Sequence, residues 1–326
     1  MGKISSLGST RGATGAAILI SAGALAVPAQ SMAQDVQRAL TTTGMNEQTT
    51  AYENAVGSAI AARFAPFSPA DAHALTPQNQ VWVQNDVRYL DFAGTSAYGV
   101  AGSILAGIDF LATEKMAAGF FGGYSETDTN TELSGISGKF EAQSFGFGLY
   151  GGYRLGAGLA VDGFIAYTFN DTDTTDGRQI ASWDSDRLTA GLGLTASYML
   201  AGITLTPRLS VSITQDWAES YTDQFGTVMP SDDYTLFRSY LGTRAGTIFD
   251  MGGTPLQTWL AAGVEFTADN AGSLSKVDDG ASGRFGLGVA VPFAGGLFGI
   301  EANTSGIGSN DYVDFGGTMT LSFAFN

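Results

Sequence analysis

From residue 81 onward the chain alternates with a period of two. Over 203–213, Ile203, Leu205, Pro207, Leu209, Val211 and Ile213 share one face, and Thr204, Thr206, Arg208, Ser210 and Ser212 share the other. Successive side chains of a strand point to opposite faces, so this dyad predicts a strand with one apolar and one polar face. Phe145, Phe147, Leu149, Gly151 and Tyr153 alternate likewise with Ser144, Gly146, Gly148, Tyr150 and Arg154, and Phe285, Leu287, Val289 and Val291 with Arg284, Gly286, Gly288 and Ala290. Twelve segments read this way: 81–90, 98–111, 116–126, 141–154, 159–170, 186–199, 203–216, 234–249, 255–267, 283–293, 297–304 and 313–325. Most reach the roughly 9–11 residues that a tilted strand needs to cross hydrocarbon.

The connections alternate too. Those at 112–115, 155–158, 200–202, 250–254 and 293–296 are short. Those at 125–139, 170–184, 216–233 and 267–282 are long, with shorter members at 91–97 and 304–311. Short turns on one side and long loops on the other mark an antiparallel transmembrane β-barrel, which in bacteria has an even strand number. The predicted fold is therefore all-β: a 12-stranded antiparallel barrel in meander order over 81–326.

Upstream the period becomes helical. Over 47–64, Tyr52, Val56, Ile60 and Phe64 recur every fourth residue, with Ala at 51, 55, 59, 61 and 62. That spacing places one apolar stripe on a helix within a linker of residues 34–80. The stripe fits a loosely ordered segment outside the barrel or a helix inside or under it. Residues 1–33 carry Lys3 and Arg11 and no acid, an apolar stretch at 13–27, then Pro28 and Ser31-Met32-Ala33. This is the layout of a signal peptide cleaved between Ala33 and Gln34.

Composition narrows the picture further. Hydrophobic residues make up 44% of 326, yet beyond the N-terminus no apolar run approaches the about 20 that a spanning helix needs. The net charge of −16 excludes nucleic acid as a partner, because phosphate binding needs a basic footprint. Alternation alone does not separate a lipid-facing barrel from a soluble one. The signal peptide, the loop asymmetry and the aromatic residues near strand ends (Tyr89, Phe110, Tyr153, Tyr167, Tyr198, Phe249, Phe266, Phe293) decide for the bacterial outer membrane. Expected partners are outer-membrane lipid and lipopolysaccharide, with periplasmic chaperones and the barrel-assembly machinery during biogenesis.

Candidate chemistry is sparse. The single His, His73, lies in the linker, there is no Cys, and no GxSxG elbow occurs. No enzyme activity and no cofactor are expected. The polar faces predict a lumen lined by Asp86, Arg88, Asp109, Arg154, Asp162, Arg187, Arg208, Arg238, Arg244, Glu265, Arg284 and Glu301. Their roles are either structural pairing across the lumen or pore lining. The long connections hold Glu126, Asp128 and Glu132; Asp171, Asp173, Asp176 and Asp184; Glu219, Asp223, Asp232 and Asp233; and Asp269, Asp278 and Asp279. These suit a solvated surface. Calcium or magnesium is a candidate divalent-cation partner there, although no calcium-binding repeat is present.

The order of several pieces resembles the C-terminal translocator domain of autotransporters, the type V secretion family. These are the opening strand VWVQNDVRY with Trp82, the Gly107-Ile108-Asp109 step, the aromatic–glycine strands around 119–124 and FGFGLYGGYRL at 145–155, TPRLSVS at 206–212, YLGTRAG at 240–246 and WLAAGVEF at 259–266. The resemblance spans about residues 80–326. It implies a 12-stranded barrel with a helix just before the first strand, where 47–64 lies, and a terminal strand read by the assembly machinery, here Met319, Leu321, Phe323 and Phe325 followed by Asn326. The family carries a long passenger, whereas about 47 residues separate Ala33 from the barrel. The expectation is a translocator with little or nothing to translocate. A small porin-like diffusion channel and a surface adhesin or receptor acting through the acidic loops stand as alternatives.

Overall fold

Twelve antiparallel strands pair in chain order and close on themselves. The structure is a computed structural model that describes residues 48–64, 78–92, 96–133, 136–156, 158–175, 180–222, 226, 228–229, 233–269, 280–293, 295–309 and 313–325. One helix, α1 (48–64), precedes β1 (Asn79–Phe92), β2 (Ser96–Ala112), β3 (Met116–Leu133), β4 (Ile136–Gly156), β5 (Leu159–Thr175) and β6 (Ile180–Ala196). Then follow β7 (Ile203–Ala218), β8 (Asp233–Met251), β9 (Thr254–Asp269), β10 (Gly280–Phe293), β11 (Gly296–Ile307) and β12 (Val313–Phe325). β12 returns to β1, with Val81 opposite Phe323 and Asp91 opposite Val313, so the twelve-stranded sheet closes on itself. Closure matters in lipid, where no water is present to satisfy an unpaired backbone group. The expected cleavage site at Ala33 and Gln34 lies outside the described residues.

Each strand turns one apolar row outward. Val87, Ile104, Phe120, Phe147, Ile165 and Leu192 are exposed on β1–β6, and Leu209, Leu241, Leu260, Leu287, Ile300 and Met319 on β7–β12. A continuous exposed apolar ring of this kind suits hydrocarbon, not water. Tyr89, Phe110, Tyr153, Tyr198, Phe249, Phe266 and Phe293 face outward near strand ends, as expected of an interfacial girdle. Tyr167 lies in a cluster with Phe147 and Phe169, its ring centroid 6.4 and 5.2 Å from theirs.

The outer hairpins correct two of the predicted loops. Residues 125–139 and 170–184 are mostly ladder: β3 and β4 pair as far as Leu133 opposite Ile136, and β5 and β6 as far as Thr175 opposite Ile180. Their sequences alternate threonine with acids or amides. Ser125, Thr127, Thr129, Thr172 and Thr174 are buried inward, while Glu126, Asp171, Asp173 and Asp184 are exposed outward. Above the membrane the outer face meets water, so the ladder needs β-branched residues inside but no apolar row outside. Lys139 bridges Asp128 (3.0 Å) and Glu141 (2.5 Å) across this surface. Among the described residues no three carboxylates converge as a metal site would require. Between β7 and β8, Tyr221–Thr222 and Val228–Met229 form a small separate hairpin, and Tyr221 stacks on the inward Trp183 with centroids 4.9 Å apart.

The segment predicted at 186–199 begins earlier and is interrupted. β6 starts at Ile180 and pairing breaks at Ser197, whose N–H donates instead to the Gly158 carbonyl across the short-turn end (2.8 Å). Tyr198–Leu200 then rejoins β7.

Candidate functional site: a helix held in the lumen

The apolar stripe of α1 has a partner inside the barrel. Tyr52, Ala55, Val56, Ala59, Ile60 and Phe64 pack with Trp82, Leu105, Ala117, Phe121, Tyr150, Ala160 and Ala166 in one buried cluster on the inner wall of β1–β5. Burying each large apolar side chain contributes about 1.5–3 kcal/mol. Glycines make the approach possible: a Cβ at Gly152 would lie 2.8 Å from the Phe64 ring, and one at Gly107 would lie 2.3 Å from the Trp82 indole. Gly152→Leu should therefore unseat the last turn of α1 and cost about 1–3 kcal/mol by overpacking. Urea unfolding of the refolded protein checks this, and Gly151→Leu, on the lipid face one residue away, should cost less.

Polar contacts fix the helix along its length. At its C-terminal end Arg63 donates from Nε (3.0 Å) and Nη2 (2.6 Å) to Asp109. The same carboxylate accepts from Tyr150 Oη (2.6 Å) and the Gln80 N–H (3.0 Å). Midway, Gln84 Nε2 donates to the Ala55 carbonyl (2.7 Å). Further up, Glu53 accepts from Ser212 (2.9 Å) and Thr214 and pairs with Arg238, which also pairs with Glu265. At the N-terminal end Gln48 donates to Ser144 (2.6 Å) and accepts from Arg187 (3.4 Å). Phe64 thus sits beside the short turns, and Gln48 sits toward the long hairpins.

The twelve residues predicted to line the lumen all sit on inward strand positions. Asp86, Arg88, Asp109, Asp162, Arg187, Arg238 and Glu265 are buried, and Arg154, Arg208, Arg244, Arg284 and Glu301 are partly exposed. Most form pairs that sequence could not assign. Arg88 bridges Asp86 and Asp314 (2.9 Å each), Arg187 pairs with Asp216 (2.7 Å), Arg208 grips Asp162 with both terminal nitrogens (2.7 and 2.8 Å), and Arg244 pairs with Glu301 (2.8 Å). Arg154 and Arg284 form no ion pair within salt-bridge distance among the described residues, although Arg284 lies within electrostatic reach of Asp314. In β12, Met319, Phe323 and Phe325 are exposed outward and Leu321 is half-buried.

Glu53, Arg63, Asp216 and Asp314 belong to this network without having been singled out from sequence. Asp216 continues the inward parity of Ser210, Ser212 and Thr214, and Asp314 that of Gly316, Thr318 and Thr320, so parity alone could have found both. Nothing in the sequence joins Glu53 or Arg63 to a particular strand.

Comparison with known proteins agrees with this geometry. Residues 81–316 match the family described as autotransporter beta-domain. "Outer membrane protein B" of Rickettsia rickettsii and that of Rickettsia conorii are each 25% identical over 160 residues, an alignment covering 43% of this chain and 10% of the relative. The chain thus spans about a tenth of the length of the curated relatives it matches. Three solved structures share the fold. They are the translocator domain of NalP from Neisseria meningitidis (TM-score 0.67, 14% identity, 86% of this chain and 98% of that one), the β domain of the Bordetella autotransporter Brka (0.61, 15%, 76% and 100%) and the transport unit of AIDA-I from Escherichia coli (0.59, 13%, 84% and 99%). With its closed barrel, its lumenal helix and a family match over most of its length, the chain belongs to the autotransporter β-domain family and is a bacterial outer-membrane protein.

Proposed function

We propose that the barrel presents the polypeptide N-terminal to α1 at the cell surface and then holds α1 as its plug. The direction of α1 carries this reading. Its last turn is docked at Asp109 and Gly152, beside the short turns, and its first turn at Ser144 and Arg187, toward the long hairpins. Short turns face the periplasm and long hairpins the exterior in such barrels. The chain leading into α1 therefore arrives from the external mouth, and a barrel inserted from the periplasm reaches that arrangement by passing this segment through its lumen.

An epitope inserted between Thr42 and Thr43 should bind antibody on intact cells. Binding only after the outer membrane is permeabilised would overturn the reading. The plug is tested separately. Full-length protein in planar bilayers should conduct poorly, and deletion of 48–64 should raise conductance severalfold, because a helix with its side chains has a diameter of about 10–12 Å. Equal conductance would show that α1 does not limit the lumen.

A further inference from the structure

We infer that the space between α1 and the β6–β11 wall is an oxyanion-binding vestibule entered from the short-turn end. The helix sits off-centre. Its large apolar side chains all face β1–β5, whereas Glu53, Asn54, Gly57 and Ala61 border a cavity of about 170 Å3 on the other side.

Three observations give this space its chemistry. First, access rises toward the short turns: side-chain exposure is 6% at Arg238, 16% at Arg208 and 30% at Arg244. The other end is shut by the buried first turn, with Gln48, Thr49 and Thr50. Secondly, each of these three arginine side chains is more exposed than the acid it pairs with. Asp162 is 2% exposed, Glu53 and Glu265 are each 3%, and Glu301 is 16%. Formal charges around the space balance, with Glu53 and Glu265 sharing Arg238, and the most exposed of these groups is the cationic Arg244, with Arg208 and Glu301 next.

Thirdly, Arg284 keeps most of its hydrogen-bonding capacity. It lies 5.7 Å over the Tyr240 ring, and its one hydrogen bond among the described residues runs to the neutral Asn54 Oδ1 (3.0 Å). Asn54 Nδ2 is buried with no acceptor. A guanidinium is a planar fork of donors matched to the oxygens of carboxylate or phosphate. An oxyanion between Arg284 and Asn54 would engage that fork and satisfy the orphaned amide N–H, whose isolation otherwise costs about 1–3 kcal/mol.

Inorganic phosphate is the probe, titrated against the full chain refolded in detergent micelles and followed by 31P line width. Wild-type protein should broaden the resonance saturably, and sulfate should compete. Arg284→Gln should weaken binding about tenfold or more, the loss expected for a charge-assisted hydrogen bond. Asn54→Ala should weaken it severalfold and serves as the test if Arg284→Gln does not fold. Lys139→Gln, on the outer hairpins, should bind as wild type. Absence of saturable broadening, wild-type binding by both lumenal variants, or an equal loss in Lys139→Gln would overturn the assignment.

Discussion

Asp109→Ala should destabilise the folded protein by about 3–5 kcal/mol, the usual cost of stranding one partner of a buried ion pair. Asp109 is fully buried and accepts hydrogen bonds from Arg63 twice, from Tyr150 and from the Gln80 N–H. Its loss removes the buried carboxylate that the Arg63 guanidinium pairs with in the wall cluster. It also removes the acceptor of Tyr150 Oη, which itself accepts from Trp82 Nε1 (3.1 Å). Urea unfolding followed by tryptophan fluorescence measures the effect. Two controls separate pair loss from general damage. Arg63→Met with Asp109→Leu removes both charges and should recover much of the stability, because an apolar pair of similar volume replaces a buried ion pair at little cost. Asp128→Ala removes an exposed pair with Lys139 and a hydrogen bond from Asn130 (3.2 Å), and should cost about 0–1 kcal/mol. A loss below about 1 kcal/mol in Asp109→Ala would mean that α1 is not anchored there.

The barrel itself was legible because lipid imposes a strict rule on every strand. Ile203 to Ile213 must show apolar groups on one face throughout, and it does. The outer hairpins were missed for the complementary reason. Beyond the hydrocarbon the outer face needs no apolar residue, and SETDTNT (125–131) and NDTDTT (170–175) lose the signal while keeping the strand. Their threonines at every second position were the surviving trace, since a β-branched side chain suits a buried strand position whatever its polarity.

The lumen was legible by residue and not by pair. Parity places Arg187 inward, but its partner Asp216 is set by the stagger between β6 and β7, where Arg187 stands directly opposite Asp216. Arg88 reaches Asp314 only because β12 closes onto β1, which no local pattern records. The helix was ambiguous for a related reason. Its stripe of Tyr52, Val56, Ile60 and Phe64 announces an apolar partner, and only the inward aromatic and small residues of β1–β5, gathered by closure, supply one. The side facing β6–β11 has no such signature, because it borders a cavity.

Leu209→Arg and Ser210→Arg test the two faces of one strand. Leu209 lies at mid-length of β7, outward and half-exposed, between the outward Leu194 and Leu241 of the neighbouring strands. Arginine there must leave water for hydrocarbon near the bilayer midplane, which costs about 2–4 kcal/mol in a barrel. Ser210 is its chain neighbour at nearly the same depth, but it points inward and borders the cavity beside α1. Arginine there keeps part of its hydration and meets Glu53 and Glu265 as well as Arg208 and Arg238, so attraction offsets repulsion. Its cost should stay well below that of Leu209→Arg. Folding in lipid vesicles, read by the gel shift between unfolded and folded barrel, compares the two. In detergent micelles, which deform around a charge, the gap should narrow. Equal costs in vesicles would mean that β7 does not present Leu209 to lipid, and with it the assignment of every outward row would fall, since the register fixes all twelve strands relative to one another.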